Sequence, residues 1–186
     1  MKKIAITGGV ATGKTSLLNL LRELSCPVFS CDEVVKKLYE QPEIREKIYQ
    51  LFGTLDKKKI LEKIISDEKA KKSLEEVLHP AVRAELKSFF ETCRQKGEKV
   101  VFVEVPLLFE CGWEEMFDEV WVVVCSSKTQ QERIKTRSTC PELVLKLASL
   151  QLPLEEKAKR AHRVFSSEKP LEVLKEEIKT ILKEFR

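Results

Sequence analysis

Apolar residues recur along this chain in two periods. Short apolar runs at residues 3–6, 28–30, 100–104, 120–125 and 163–165 predict five strands. The runs at 100–104 and 120–125 are nearly continuous in Val, Phe and Trp, the pattern of strands buried on both faces of a parallel sheet. Helical spacing fills the intervals. Leu17, Leu18, Leu21 and Leu24 share one face, as do Val82, Leu86, Phe89, Phe90 and Cys93. Near the C-terminus Leu171, Leu174, Ile178, Ile181, Leu182 and Phe185 repeat that period. Strands alternating with helices imply an α/β fold with crossover connections.

The intervals are uneven. Residues 31–99 separate the second strand from the third and read as helical throughout, too long for a plain crossover. A connection of that kind is an insertion with its own task, such as holding a substrate. A second helical stretch, residues 133–160, lies between the fourth and fifth strands. No internal repeat or low-complexity segment interrupts the chain.

Composition narrows the function. At 186 residues the chain can build one sizeable domain with an insertion, hardly two independent ones. A formal net charge of +4 suits a polyanionic ligand but is too mild to indicate nucleic acid. Lysines and glutamates meet three or four residues apart along the helices, which marks solvated faces. The six cysteines form no CxxC pair and have no histidine at zinc-site spacing. The opening residues break after three apolar positions, too few for an export signal, and no run approaches the ~20 apolar residues that span a bilayer. A cytoplasmic, reduced protein with no membrane partner is expected. A monomer is the favoured oligomeric state.

Residues 8–15, Gly-Gly-Val-Ala-Thr-Gly-Lys-Thr, fit the phosphate-cradling pattern G-x-x-x-x-G-K-[ST]. Gly8 and Gly13 let the backbone turn its N–H groups toward a β-phosphate, with Ala11, Thr12 and Ser16 on the same stretch. Lys14 would reach the β/γ oxygens, and the Thr15 hydroxyl would ligate Mg²⁺. The helix beginning near Gly13 aims its positive end at the same place. A strand before the loop and a Leu-rich amphipathic helix after it supply the context that a chance match lacks. These features predict a P-loop NTPase-type three-layer α/β/α fold with a five-stranded parallel sheet, a helical substrate-binding insert and a helical lid. The expected layout is one domain, with its core at about 1–31, 97–132 and 162–186, the insert at about 32–96 and the lid at about 133–161.

A GTPase would carry an [NT]-K-x-D motif after a later strand, whereas the fourth strand here is followed by Ser126-Ser127-Lys128-Thr129. A small-molecule kinase fits better, because such enzymes add an acceptor-binding region and an arginine-bearing lid to the P-loop. Asp32 follows the second strand, where strand ends face the ligand crevice. It can accept the acceptor hydroxyl's proton or help hold Mg²⁺; it can also simply cap a helix, with Ser30 and Glu33 as a capping box. Glu104 ends the third strand, as a Mg²⁺-binding acid or a solvated strand end. Arg133 and Arg137 share a helix face and can clamp phosphates or pair with Glu132 at the surface.

The chain resembles the dephospho-CoA kinase family from about residue 3 to 175. Ile-Thr-Gly-Gly-Val-Ala-Thr-Gly-Lys-Thr at 6–15 is similar to that family's opening. Leu74-Glu75-Glu76-Val77-Leu78-His79-Pro80-Ala81-Val82-Arg83 is similar to its L-E-x-x-x-H-P-x-V-R element. Val105-Pro106-Leu107-Leu108-Phe109-Glu110 matches V-P-L-L-F-E, and Gln151-x-Pro153-x-Glu155-x-Lys157 looks like Q-x-P-x-E-x-K. The resemblance implies ATP and Mg²⁺ as co-substrate and metal, dephospho-coenzyme A as acceptor, and phosphorylation of its ribose 3′-hydroxyl. Catalytic roles then fall to Asp32, Lys14 and Arg137, with Arg133 also on the nucleotide. Glu104 joins Thr15 at the metal. His79, Pro80 and Arg83 would contact the coenzyme A moiety, unless His79 merely ends a helix ahead of Pro80. Pro106, Leu107 and Phe109 would border the acceptor pocket, with Phe109 as an apolar wall, or pack in the core.

Three positions depart from the family's pattern. Its D-x-D after the second strand is Ser30-x-Asp32 here, with one acid only. Its D-x-V-I-x-N before the last helix is His162-Arg163-Val164-Phe165-Ser166-Ser167, so different residues approach the base. A lid arginine common before Gln151 is absent, leaving Arg137 and Lys146 to supply the charge. A kinase of another small hydroxyl acceptor, such as a nucleoside or nucleotide, and a non-catalytic ATP-binding module are the alternative functions.

Overall fold

The computed structural model describes residues 1–185. The five expected strands form β1 (Lys2–Gly8), β2 (Val28–Ser30), β3 (Val100–Glu104), β4 (Glu119–Val124) and β5 (Arg163–Ser166). All pair in parallel, in the order β2-β3-β1-β4-β5. Because side chains alternate across a strand, each strand feeds two cores. Ile4, Ile6, Phe102, Trp121 and Phe165 face one side, with Leu17, Leu20 and Leu21 of α1 (Lys14–Glu23) and Leu174 and Ile178 of the last helix, Leu171–Leu182. Ala5, Val101, Val103, Val120 and Val122 face the other side, against the insert. The result is the expected three-layer α/β/α arrangement.

The insert comprises α2 (Cys31–Leu38), α3 (Pro42–Phe52), α4 (Lys57–Ser66) and α5 (Glu68–Gln95), with α2, α3 and α4 all packed on α5. The helix α5 buries Leu74, Leu78, Val82, Leu86, Phe90 and Cys93, one stripe at helical spacing. Pro80 does not end it. The helix runs on through this proline, and the carbonyl of Glu76 goes without the N–H that any other residue at 80 would offer. Packing of the apolar stripe on both sides of position 80 outweighs that loss. Between β4 and β5 lie α6 (Ser127–Arg137), α7 (Pro141–Leu150) and α8 (Leu154–Lys159), and α9 (Leu171–Leu182) closes the fold.

Parallel pairing brings the carboxyl ends of β1, β2, β3 and β4 to one edge of the sheet. Ser30 and Glu104 are register partners there, as are Ile6 with Glu104 and Gly8 with Val123. The site is built at this edge.

Candidate active site

The loop after β1 is shaped by two glycines. Gly13 has φ +108°, and a Cβ on it would lie 2.4 Å from the Cβ of Ser167. A Cβ on Gly8 would meet the Val123 carbonyl oxygen at 2.7 Å, because β1 and β4 pass side by side. Thr12 is buried and ties the loop to itself. Its hydroxyl donates to the Gly9 carbonyl (3.0 Å) and accepts from the Gly9 N–H (3.2 Å). Gln130 of α6 donates to the Val10 carbonyl at 2.8 Å. Lys14, in the first turn of α1, donates to the Gly9 carbonyl at 2.6 Å. Burial holds its pKa below the ordinary lysine value, while Glu104 and Asp32 pull it back up.

A cleft of about 580 Å³ opens over this loop, within the usual size of small-ligand sites. The loop from Val10 to Ser16 lines its floor, Asp32 and Glu104 one side, and Leu74, Glu75, Leu78, His79 and Val82 of α5 the roof. Lys71, Tyr39 and Trp113 add basic and aromatic surface, and Arg137, Leu147 and Gln151 enter from the lid. A larger depression, about 830 Å³, runs along β5 and α9 but contains no residue of the phosphate loop.

The two carboxylates differ in setting. Asp32 sits exposed in the first turn of α2, while Glu104 is only 3% exposed. Burial and then the neighbouring Asp32 push the Glu104 pKa up; the Ser30 hydroxyl and Lys14 oppose that rise. Ser30 donates to the Glu104 carboxylate and also accepts from Glu33 N–H at 3.3 Å, so it is the N-cap of α2. The capping role weighed for Asp32 therefore belongs to Ser30, and Asp32 is left free to face the cleft. Two thiols line the cleft as well. Burial pushes the Cys31 thiol far up and that of Cys111 to about 11, so both stay protonated and unreactive at neutral pH.

Other expected site residues are divided by the structure. Thr15 and Ser16 are exposed on the cleft floor. Arg137 reaches the cleft, but Arg133 binds the outer flank of the loop instead. Its guanidinium donates to the Ala11 carbonyl (3.2 Å), the Ser167 hydroxyl (2.8 Å) and the Ser167 carbonyl (3.3 Å). His79 lines the cleft edge-on to Trp113, with ring centroids 5.2 Å apart. Arg83 lies behind that wall, its guanidinium 4.9 Å from the Trp113 ring centre. Pro80 is exposed and outside the cleft lining. Pro106 and Leu107 border the cleft, whereas Phe109 is buried in the core under the Arg160 guanidinium, 4.3 Å from its ring centre. Lys146 lies beside Lys58 and Glu62 in a depression between lid and insert, away from the phosphate loop.

Sequence reading missed Trp113, Lys71, Gln130 and Lys157. An isolated Trp in a loop carries no periodic signal, although its position shortly after Val-Pro-Leu-Leu-Phe-Glu was a usable clue. Lys157 stood in plain view inside a motif but had no assigned task.

A phosphate loop at the carboxyl edge of a parallel sheet, facing acidic side chains beneath a helical roof, defines a P-loop kinase. The sequence model of dephospho-CoA kinase matches residues 2–172. The chain belongs to the dephospho-CoA kinase family, the enzymes of the last step of coenzyme A biosynthesis. It is 35% identical to the dephospho-CoA kinase of Symbiobacterium thermophilum over 90% of this chain and 74% of that one. Among solved structures it is similar to TT1252 from Thermus thermophilus, with 33% identity and a TM-score of 0.83 over 100% of this chain and 98% of that one. It is also similar to the dephospho-CoA kinase of Campylobacter jejuni, with 26% identity and a TM-score of 0.68 over 99% and 97% of the two chains.

Proposed function

We propose that the cleft transfers the γ-phosphoryl group of ATP to the ribose 3′-hydroxyl of dephospho-coenzyme A, with Asp32 orienting or deprotonating that hydroxyl. One observation carries this reading: Asp32, Lys14 and the phosphate loop share a cleft that is also lined by α5 of the helical insert. The loop amides and the N-terminus of α1 neutralise the triphosphate, and Lys14 exchanges the Gly9 carbonyl for phosphate oxygens. Acceptor and nucleotide are held within one enclosure, which makes an otherwise bimolecular encounter unimolecular. Arg137 lies at the lid side, where it can meet charge developing on the transferred group. Leu147 and the apolar stripe of α5 keep water away from the reacting atoms.

The oxygen donors available suit a hard cation: the Thr15 hydroxyl and the carboxylates of Asp32 and Glu104 line the cleft together. These residues would hold Mg²⁺ with the nucleotide phosphates, and the ion would supply charge neutralisation for phosphoryl transfer. Arg133 supports the nucleotide from outside the cleft by fixing the Ala11–Ser167 flank of the loop. Cys31, Cys93, Cys111, Cys125 and Cys140 are free thiols, which suits a reducing cytoplasmic setting. No helix among the described residues is long and apolar enough to cross a membrane. The core, insert and lid act as parts of one domain, with the acceptor between insert and loop.

The test is ADP release by the purified protein with Mg·ATP and a panel of dephospho-coenzyme A, nucleosides and nucleotides. Turnover with dephospho-coenzyme A in preference to the others is expected. ADP release only with a nucleoside or nucleotide, or with no acceptor at all, would overturn the assignment.

A further inference from the structure

Lys157 is fully buried, and a buried ammonium must find partners for all three of its donors. It finds them in two segments far apart in sequence, at Gly8 and at residues 106–110. Nζ donates to the Gly8 carbonyl at 2.9 Å and to the Pro106 carbonyl at 3.1 Å, and it pairs with a Glu110 carboxylate oxygen at 3.1 Å. Gly8 is the residue on which β1 turns into the phosphate loop. Pro106 is a cleft-lining residue two positions past the end of β3. One side chain from α8 thus holds the donor loop and the acceptor wall at a fixed separation.

The neighbouring bonds fit this role. The Thr7 hydroxyl donates to the same Pro106 carbonyl at 3.2 Å, and the Leu152 N–H donates to the same Glu110 oxygen at 3.4 Å. Glu110 balances the charge and ties the start of α8 to the cluster. An ammonium directs its three donors tetrahedrally, whereas a guanidinium holds its five in one plane. Hydrophobic packing alone would hold α8 just as well, so two backbone carbonyls bonded to a buried charge call for a further reason.

We infer that Lys157 is a positioning residue for phosphoryl transfer, setting the register of the phosphate loop against the acceptor-side segment at Pro106 and Leu107. It touches neither substrate. The inference rests on the proposed reaction, and wild-type turnover of dephospho-coenzyme A in the same assay tests that reaction separately.

The experiment compares Lys157→Met and Glu110→Gln with wild type by steady-state kinetics, ATP binding, thermal melting and the ratio of ADP released to coenzyme A formed. Since a displacement of about 1 Å can cost ~10²-fold, kcat should fall at least about 30-fold in Lys157→Met and about tenfold in Glu110→Gln. ATP affinity and the KM for dephospho-coenzyme A should each stay within about threefold. The ADP ratio should rise above one as water competes with a misplaced acceptor. A folded Lys157→Met with kcat within threefold of wild type would overturn the inference. So would a loss of activity that tracks weakened substrate binding alone. Should Lys157→Met fail to fold, Glu110→Gln read by the same criteria decides.

Discussion

Ser30 and Glu104 face each other across the β2–β3 pair, and the single Ser30 hydroxyl both donates to the Glu104 carboxylate and caps α2. Two demands thus meet at one small side chain. The helix that carries Asp32 is started by the same atom that steadies the buried acid beside it.

Replacing Ser30 separates these demands. Ser30→Ala loses the cap, about 1 kcal/mol, and a bond to a charged group, about 1.5 kcal/mol or more. It should melt lower at all pH values near neutrality. Ser30→Asp restores the family's D-x-D and keeps a good cap, but places a third carboxylate beside Glu104 and Asp32. The added repulsion pushes the already raised Glu104 pKa further up, so stability should fall as pH rises from 5 to 8 and recover on adding Mg·ATP. Thermal melts at both pH values, with and without Mg·ATP, check this. Equal behaviour of the two variants under all four conditions would contradict it.

Asp32 has no capping duty, so its replacement should spare the fold. Asp32→Asn keeps shape and exposure while removing the carboxylate that lines the cleft and is proposed to meet the acceptor. Loss of a positioned base costs typically 10²–10⁴-fold, and kcat should fall within that range. ATP affinity should be little changed, because the proposed triphosphate site is Lys14 and the loop amides. Single-turnover kinetics with a separate nucleotide-binding measurement distinguish the two effects. An unchanged rate would remove Asp32 from the mechanism.

Glu104 offers the opposite trade between stability and activity. Its pKa is raised, chiefly by burial, so the charged form is the strained one in the folded protein. The stability it contributes is complete below its ordinary value of 4.5 and is lost as pH rises through the higher folded value. Glu104→Gln removes that strain and should melt above wild type at pH 8, with the difference shrinking toward pH 4. Activity should meanwhile fall by roughly 10–100-fold, the cost expected if the proposed Mg²⁺ site loses a carboxylate. Paired melting curves and kcat values across pH check both halves.

The strands, the phosphate loop and the cleft-facing position of Asp32 were legible because they rest on local rules. Continuous Val-Val-Phe-Val and Val-Trp-Val-Val-Val runs mark buried strands wherever they lie. The parts that were not legible depend on rotation and on partners without a sequence signature. Arg133 and Arg137 share a helix face, yet four residues of rise, about 6 Å, send one to the Ala11 flank and the other to the cleft. Phe109 looked like a pocket wall but is buried one turn past Pro106, beneath Arg160. Pro80 read as a substrate contact, with a helix end at His79 as the alternative; neither reading foresees that the apolar stripe carries α5 past it, because that is a tertiary effect. Lys157 bonds to backbone carbonyls, and any residue at positions 8 and 106 would present one.

Gly13 tests the shape of the loop itself. An alanine there would face two separate obstacles: a φ of +108°, and the Ser167 Cβ only 2.4 Å from the new methyl. A strained backbone of this kind costs about 1–3 kcal/mol, and the clash adds to it. Gly13→Ala should therefore weaken ATP binding at least about tenfold as the loop shifts. The double variant Gly13→Ala with Ser167→Gly removes the clash and leaves the backbone strain. It also deletes the hydroxyl that accepts from Arg133, so recovery should be partial. Ser167→Gly alone sets the size of that third effect, and the thermodynamic cycle isolates the clash. If the double variant binds ATP no better than Gly13→Ala, the approach of Ser167 is not what demands glycine, and the backbone conformation alone does.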